Sequence, residues 1–231
     1  MKNLLFGAAY YDEYMRYDRL EQDVEMMKKA GINTVRIAES TWSTCEPQEG
    51  VFDFFHVVRV MDAMENAGIN VIIGTPTYAV PTWMVKAHPD VLATTKKGRG
   101  IYGARQIMDI TNPIYLFYAE RVIRELMKVT AHRKCVIGFQ IDNETKYYGT
   151  AGENVQLQFV KYLREKFHDN LDEMNQAFGL DYWSNRINAW EDFPDVRGTI
   201  NGSLGAEFEK FQRTLVDSFL SWQAKIVSEY K

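Results

Sequence analysis

An amide and a carboxylate follow one of the most apolar segments of this sequence. Residues 135–141 indicate a buried strand, because they are apolar and rich in β-branched residues. Asn143 and Glu144 come directly after that segment. An amide can hydrogen-bond a sugar hydroxyl, and a carboxylic acid beside it can donate a proton to a leaving oxygen. The pair therefore suits glycoside hydrolysis, although an Asn-Glu cap on a solvated strand end would have the same spacing.

Three earlier segments also end in polar or aromatic side chains. The apolar stretches 4–9, 33–38 and 70–75 are predicted strands, and each leads into a loop that carries functional groups. A barrel of parallel strands places such groups together at the carboxyl ends of its strands. Caps and turns explain any one of these loops, but the four together favour an active site. The groups after the first three strands are Tyr11, Asp12 and Glu13; Glu39, Trp42 and Glu46; and Thr77 and Trp83.

A helix–glycine–strand unit occurs twice near the start of the chain. The run Ala-Gly-Ile-Asn begins at Ala30 and again at Ala67, and each copy follows a helical pattern and opens a predicted strand. Gly31 and Gly68 suit the left-handed position just after a helix. Such a repeat indicates parallel strands joined by right-handed helical crossovers. Further helices are predicted at 113–130 and 153–167, followed by a short helix that ends near residue 179 and a long one at 205–230. The stretch 181–203 is predicted to be rich in loops.

The predicted fold is of the α/β class, a TIM (β/α)8-barrel type in which about the first four βα units are present. The chain of 231 residues shows no linker or change of composition, so residues 1–231 are expected to belong to one domain. Four units are half of an eight-stranded barrel. The sequence therefore describes either a complete small α/β fold or the first half of a larger one.

Arg36 lies inside an apolar strand. A cation there needs a partner, because burying it alone is prohibitively costly. It either forms an internal ion pair with Glu39 or another acid, or it is a site residue that holds the charge state of the catalytic carboxyls, and both roles are compatible. Arg105, in a loop ahead of the helix at 113–130, reads by itself as a solvated side chain.

Composition excludes several classes of function. The formal net charge is −4 with both signs interleaved, so no basic surface for nucleic acid is expected. No segment is apolar enough for a membrane span, and the N-terminal apolar run is too short for a signal peptide. Cys45 and Cys135 are isolated, which fits buried free thiols in a reducing cytoplasm. The four dispersed His residues and the absence of phosphate-loop motifs predict neither a metal nor a cofactor.

These residues resemble a known family. The chain is similar to the N-terminal part of the β-galactosidases of glycoside hydrolase family 42, which are retaining enzymes on a (β/α)8 barrel. The resemblance runs almost continuously from Leu5 to Phe219. It rests on an ordered series of motifs: Phe6-Gly7, residues 27–31, Trp42, Glu46-Pro47 with Gly50, residues 75–77, residues 81–83, residues 103–105, residues 142–144 and residues 182–184.

The resemblance implies a role for each matching residue. Glu144 would be the general acid/base, and Asn143 would bond the 2-hydroxyl of the galactosyl unit. Arg105 would bind the sugar, and Arg36 and Trp183 would line the same subsite. An acid that keeps its proton until it meets the glycosidic oxygen is expected to be buried or to lie beside another carboxylate.

Two departures from the family pattern affect these expectations. Many members bind zinc through one Cys after the Arg105 position and three after the Asn-Glu pair. Here Asp109 replaces the first Cys and residues 147–150 contain none, so we expect no zinc. The family's nucleophilic Glu comes from a late strand, and no acid of this chain matches it. Glu39 is the nearest substitute, but nothing around it in sequence indicates a nucleophile.

The expected partner is a β-galactoside substrate, with no nucleic acid and no membrane. The chain is expected to carry the acid/base half of the site and to be inactive, or nearly so, alone. A half barrel leaves two strand edges unpaired, so we expect a homo-oligomer or pairing with the missing C-terminal half of the barrel. The alternatives are a non-catalytic sugar-binding or assembly module and another retaining barrel glycosidase of the same clan.

Overall fold

The computed structural model describes residues 4–16, 18–103, 105 and 107–231. Ala104 of the Gly-Ala-Arg motif and the first three residues of the N-terminal segment lie outside the described residues. The described chain divides into two compact units. The first comprises Met1–His88, Phe117–Thr145 and Leu220–Lys231, and the second comprises Pro89–Leu116 and Lys146–Phe219.

Strands and helices alternate through the first part of the chain. The strands are β1 (Gly7–Ala9), β2 (Thr34–Ile37), β3 (Asn70–Gly74), β4 (Thr94–Thr95), β5 (Gly98–Arg99) and β6 (Val136–Gln140). The helices are α1 (Leu20–Ala30), α2 (Trp42–Cys45), α3 (Phe55–Ala67), α4 (Thr82–Ala87), α5 (Pro113–Thr130), α6 (Glu153–Lys166), α7 (Leu171–Phe178) and α8 (Gly202–Ser228). All the predicted strands and long helices are present. The short helices α2 and α4 and the β4–β5 hairpin were not predicted.

Four of these strands form one parallel sheet in the first unit. Their order is β1-β2-β3-β6, and every neighbouring pair is parallel. The helices α1 and α3 that precede β2 and β3 end at Gly31 and Gly68, whose φ angles are 76° and 71°. The repeated helix–glycine–strand unit is therefore a repeated βα unit, as its sequence indicated. The sheet is the first half of the predicted parallel barrel.

Only one face of this sheet is fully buried. Val35, Ile37, Val71, Ile73 and Val136 belong to the main core cluster, together with the apolar sides of α1 and α3. The strands at the edges are less covered: all three residues of β1 are exposed, and most of β6 is partly exposed. An edge strand has a hydrogen-bonded neighbour on one side only, so less of its surface is covered.

The second unit has a core of aromatic rings. Phe159 of α6 lies 4.9 Å from Phe208 and 5.4 Å from Phe211 of α8, measured between ring centroids. The β4–β5 hairpin is joined to the start of α6 by a hydrogen bond from the Ala151 amide to the Thr94 carbonyl. The loop-rich stretch predicted at 181–203 contains three short 3-10 turns. Among the described residues, no helix is long and apolar enough to cross a membrane.

Gly74 ends β3 in a position where a side chain has no room. A Cβ atom there would lie 2.6 Å from the Glu39 Cβ and 3.0 Å from the Glu39 backbone nitrogen. We therefore expect Gly74→Ala to lower the free energy of unfolding by about 1–3 kcal/mol, because backbone and side chain must both shift. Chemical denaturation measures the effect.

The matched control is Gly138→Ala in β6, where a Cβ atom would meet nothing within 4 Å. This variant is expected to stay within about 0.5 kcal/mol of the parent protein. Equal losses in the two variants would show that the contact between β3 and Glu39 is not tight.

Candidate functional site

A buried ion pair occupies the carboxyl end of β2. Arg36 donates from Nη2 to Glu39 Oε1 at 2.5 Å, and its Nε pairs with the second carboxylate oxygen of Glu39. The Glu39 side chain is 3% exposed and the Arg36 side chain 30%. The Arg36 Nη1 also donates to Gln140 Oε1 of β6 at 2.6 Å. The predicted pairing of Arg36 with Glu39 is therefore confirmed.

Tyr11 joins the same group from the loop after β1. Its hydroxyl accepts a hydrogen bond from Arg36 Nη2 at 3.1 Å and donates to Glu39. Burial raises the pKa of Tyr11, and the hydrogen bond to Glu39 raises it further. Burial alone would lower the pKa of Arg36, but its contacts with Tyr11 and Glu39 raise it above the ordinary value. Arg36 therefore stays charged, and Glu39 stays paired with it.

Asn143 and Glu144 lie in the loop after β6, next to this group. The Gln140 side chain donates from Nε2 to the Asp142 carbonyl at 2.7 Å and to Asn143 Oδ1 at 3.2 Å. The Tyr78 hydroxyl donates to Glu144 Oε2 at 3.2 Å. Gln140 therefore connects Arg36 to Asn143, and the structure brings three predicted site residues to one end of the sheet.

The acid itself is more open to solvent than expected. Glu144 is an exposed residue and Asn143 is partly buried. Of the two expected environments, burial and a neighbouring carboxylate, Glu144 does not have the first in the part of the chain that the structure describes. The reason is the position of β6 at the edge of the sheet, since the loop that follows it has a neighbouring strand on one side only.

Asp142, directly before the pair, is the buried carboxyl of this loop. It is 1% exposed, and its two carboxylate oxygens accept hydrogen bonds from Thr77 Oγ1 and Thr145 Oγ1, both at 2.6 Å. Burial raises the pKa of Asp142 above its ordinary value, while the hydrogen bonds from Thr145 and Thr77 oppose that rise. Asp142 therefore serves to hold the loop, because its oxygens point at neighbouring hydroxyls.

Arg105 and Trp183, the other two predicted site residues, belong to the second unit. Arg105 is exposed in the loop between β5 and α5. Trp183 is 72% exposed, has a φ angle of 54°, and stacks on the ring of Tyr182 at 5.6 Å. An exposed aromatic pair is a surface on which a sugar ring can stack. That Arg105 and Trp183 line a common subsite with Glu144 stays a prediction.

Three contributors to the site were not assigned from the sequence. Gln140 and Asp142 come just before the Asn143-Glu144 pair, so their proximity was visible, but their hydrogen-bonding roles were not. Tyr78 follows the Thr-Pro-Thr motif, and nothing in its local pattern distinguishes it from a core tyrosine. Its contact with Glu144 joins residues far apart in sequence, which only the parallel sheet brings together.

The side chains at the family's zinc positions do not suit that metal. Asp109 Oδ1 already accepts hydrogen bonds from the amide and the hydroxyl of Thr111, at 2.9 and 2.6 Å. Residues 147–150 offer no thiolate, the ligand that structural zinc sites use most. In the described part of the chain, no group of three or more His, Cys, Asp or Glu side chains could hold a metal ion. Both cysteines are buried and free.

The parallel βα units, with an amide and an acid after the fourth sheet strand, are those of a partial (β/α)8 barrel. The family model described as β-galactosidase, glycoside hydrolase family 42, matches residues 9–231. The chain therefore belongs to glycoside hydrolase family 42.

Individual relatives agree with this assignment. The chain is 29% identical to the β-galactosidase YesZ of Bacillus licheniformis, over 98% of this chain and 35% of that protein. It superimposes on the cold-adapted β-galactosidase of Rahnella sp. R3 with a TM-score of 0.91, at 30% identity, over 100% of this chain and 35% of that one. The β-galactosidase of the psychrophilic Marinomonas ef1 gives a TM-score of 0.90 at 28% identity, over 97% and 35% of the two chains. The chain thus spans about 35% of the length of these relatives.

The raised pKa of Asp142 predicts a pH dependence of stability. Because the folded-state pKa lies above the ordinary value of 3.8, the folded protein holds this proton more tightly than the unfolded chain. The stability that the proton contributes is complete below pH 3.8 and is lost as the pH rises through the folded-state pKa. In Asp142→Asn this titration is absent. The stability of this variant relative to the parent should therefore rise as the pH increases from about 4 to 7.

Urea unfolding at several pH values measures that difference. Asn keeps the shape of the side chain and one acceptor oxygen, so the comparison isolates the charge. Parallel pH profiles for the two proteins would contradict the assignment of a buried, titrating Asp142.

Proposed function

We propose that this chain supplies the acid/base half of a retaining β-galactosidase active site, which hydrolyses terminal β-D-galactosides in carbohydrate metabolism. The observation that supports it is the arrangement of Asn143 and Glu144 at the end of β6, oriented by Gln140 and Tyr78. Arg105 would bind the sugar, and Arg36 and Trp183 would line the same subsite. The names of the similar proteins support galactose as the sugar.

Glu144 would act twice in the reaction. It first protonates the glycosidic oxygen as the bond to the sugar breaks, and it later removes a proton from the water that attacks the glycosyl-enzyme intermediate. Tyr78 holds one of its oxygens, which orients the carboxyl group. Asn143 Oδ1 accepts a hydrogen bond from Gln140, so we assign its Nδ2 as the donor to the sugar 2-hydroxyl.

The nucleophile would come from a part of the family fold that these residues do not match. A retaining mechanism needs a second carboxyl about 5–5.5 Å from the acid. Glu39 is ill suited to that role, because it is ion-paired with Arg36, its Oε1 accepts hydrogen bonds from Arg36 and Tyr11, and attack on a sugar would require breaking the ion pair. We therefore place the nucleophile in the remaining length of the barrel.

The open edge of the sheet supports a second candidate, an assembly module without catalysis of its own. Leu4, Leu5 and Phe6, which lead into the edge strand β1, are 82%, 55% and 55% exposed. Pairing with the C-terminal half of the barrel, or with a second copy of the chain, would cover them. We expect neither nucleic acid nor a membrane as partner, and we propose a cytoplasmic location because both thiols are free.

The chain alone is expected to be a very poor catalyst. When one of two cooperating groups is missing, the rate typically falls by several orders of magnitude. An assay with an aryl β-galactoside should therefore give turnover far below the ordinary enzyme level of about 10 per second. Turnover near that level would mean that a carboxyl of this chain serves as the nucleophile.

A chimera tests the role of Glu144 directly. The 231 residues would replace the matching segment of the Bacillus licheniformis β-galactosidase YesZ. In an active chimera, Glu144→Gln is expected to lower kcat/KM for lactose by about 10²- to 10⁴-fold, because general acid catalysis is lost. Azide should restore turnover of an aryl galactoside by Glu144→Ala and give β-galactosyl azide, since this anion attacks the intermediate without a base.

The matched control is Glu21→Gln, which removes an exposed carboxyl from α1 and should leave kcat/KM unchanged. Circular dichroism confirms that each variant is folded. If Glu144→Gln retains the activity of the parent chimera, Glu144 is not the acid.

A further inference from the structure

The loop that carries Glu144 has an unusual backbone conformation. Asp142 and Glu144 have φ angles of 52° and 45°, on either side of Asn143. Residues other than glycine rarely adopt positive φ, because the Cβ atom then lies too close to the carbonyl oxygen that follows. Such a conformation persists only when surrounding contacts determine it. The contacts that hold this loop are therefore important for where the Glu144 side chain points.

A closed ring of hydrogen bonds anchors Asp142. The Asp142 amide donates to Thr75 Oγ1 at 2.7 Å, and Thr75 Oγ1 donates to Gln223 Oε1 at 2.8 Å. The nitrogen of the Gln223 side-chain amide, Nε2, donates to Thr77 Oγ1 at 3.1 Å. Thr77 Oγ1 in turn donates to Asp142 Oδ1 at 2.6 Å, which closes the ring. Thr75, Thr77 and Gln223 are each 0% exposed and Asp142 is 1% exposed, so water does not compete with these bonds.

The ring requires a side chain at position 223 that both accepts and donates a hydrogen bond. Gln223 accepts one bond and donates another from a single planar group, and each threonine hydroxyl accepts one and donates one. A carboxylate could not donate to Thr77, and an apolar side chain would leave two buried hydroxyls without these partners. Gln223 lies in α8 and bonds to Thr75 and Thr77, which follow β3 and in turn bond to Asp142 in the loop after β6.

We propose that Gln223 is a positioning residue for the Asn143–Glu144 pair. Through Thr75 and Thr77 it fixes the backbone and the carboxylate of Asp142, and thereby the direction in which the next two side chains leave the strand. This role extends the proposed function, since the direction of Glu144 matters for catalysis only if Glu144 is the acid. A purely structural role would be limited to holding α8 against the sheet.

Amide hydrogen exchange in the 231-residue chain separates these two roles. The Gln223→Met variant keeps the size of the side chain but removes both bonds. After correction for global stability, the Asp142 amide should exchange about tenfold faster or more, because loss of the bonds that hold its acceptor promotes local opening. Unchanged exchange after the same correction would overturn the proposal, since Gln223 would then contribute only to the packing of α8.

Gln212→Met is the matched control. Gln212 lies in the same helix, is 5% exposed, and donates from Nε2 to the Thr150 carbonyl at 2.6 Å. Its replacement removes a buried amide bond but does not touch the ring, so the Asp142 amide should keep its corrected exchange rate. An equal increase in both variants would show a general loosening of α8 and would overturn the proposal.

Two further variants guard against failure of Gln223→Met to fold. Thr77→Val breaks the same ring at another point and should also speed exchange of the Asp142 amide. In Gln223→Glu, a protonated carboxyl can accept from Thr75 and donate to Thr77 as the amide does. Its protection of the Asp142 amide should therefore rise towards that of the parent as the pH is lowered. Protection that does not change with pH in Gln223→Glu would contradict the ring.

Kinetics of the chimera distinguish this proposal from the proposed function. We expect Gln223→Met to lower kcat for lactose by about 10- to 100-fold with a smaller change in KM, because misplacement of a catalytic group acts mainly on the transition state. Gln212→Met should leave kcat unchanged. If Glu144→Gln retains activity, the proposed function fails while the exchange data still test the ring. If Glu144→Gln is inactive and Gln223→Met retains full kcat, only the positioning role fails.

Discussion

The burial of a cation at the end of β2 is the constraint on which the candidate site depends. Arg36 has to be paired, and its partners are Glu39, Gln140 and Tyr11. Tyr11 follows β1, Glu39 follows β2 and Gln140 ends β6. The need to pair the Arg36 charge therefore connects these three strands. The contact with Gln140 passes over β3, which lies between β2 and β6.

The register of the sheet makes this reach feasible. Arg36 pairs with Ile72 of β3, and Ile72 pairs with Gly138 of β6. Gly138 has no side chain, and a Cβ atom there would meet nothing within 4 Å. At the level of Arg36 in the sheet, β6 therefore carries no side chain. The long guanidinium side chain extends to Gln140, the last residue of that strand. Gln140 in turn holds Asn143, which connects the buried charge to the residues assigned to chemistry.

Part of this arrangement could be predicted from the sequence. Periodicity located the βα units, because the apolar faces of α1 and α3 repeat and their ends are marked by Gly31 and Gly68. The pairing of Arg36 with Glu39 followed from electrostatics, since a cation in a strand needs a nearby acid. In contrast, α2, α4 and the β4–β5 hairpin are too short to show a period. The contacts of Tyr78 with Glu144 and of Gln223 with Thr75 join residues far apart in sequence, and no local pattern encodes them.

The core face of the sheet and its two edge strands differ in exposure to solvent. One face is buried by α1, α3 and the core cluster, whereas β1 is exposed at one edge and β6 is partly exposed at the other. Glu144 follows β6, so the residue proposed as the acid lies in the loop after an edge strand. Any element that covered this loop would exclude water from around Glu144 and would strengthen the electrostatic interactions there. Hydrogen bonds within the loop hold its backbone, while the Glu144 side chain is exposed because β6 has a neighbouring strand on one side only.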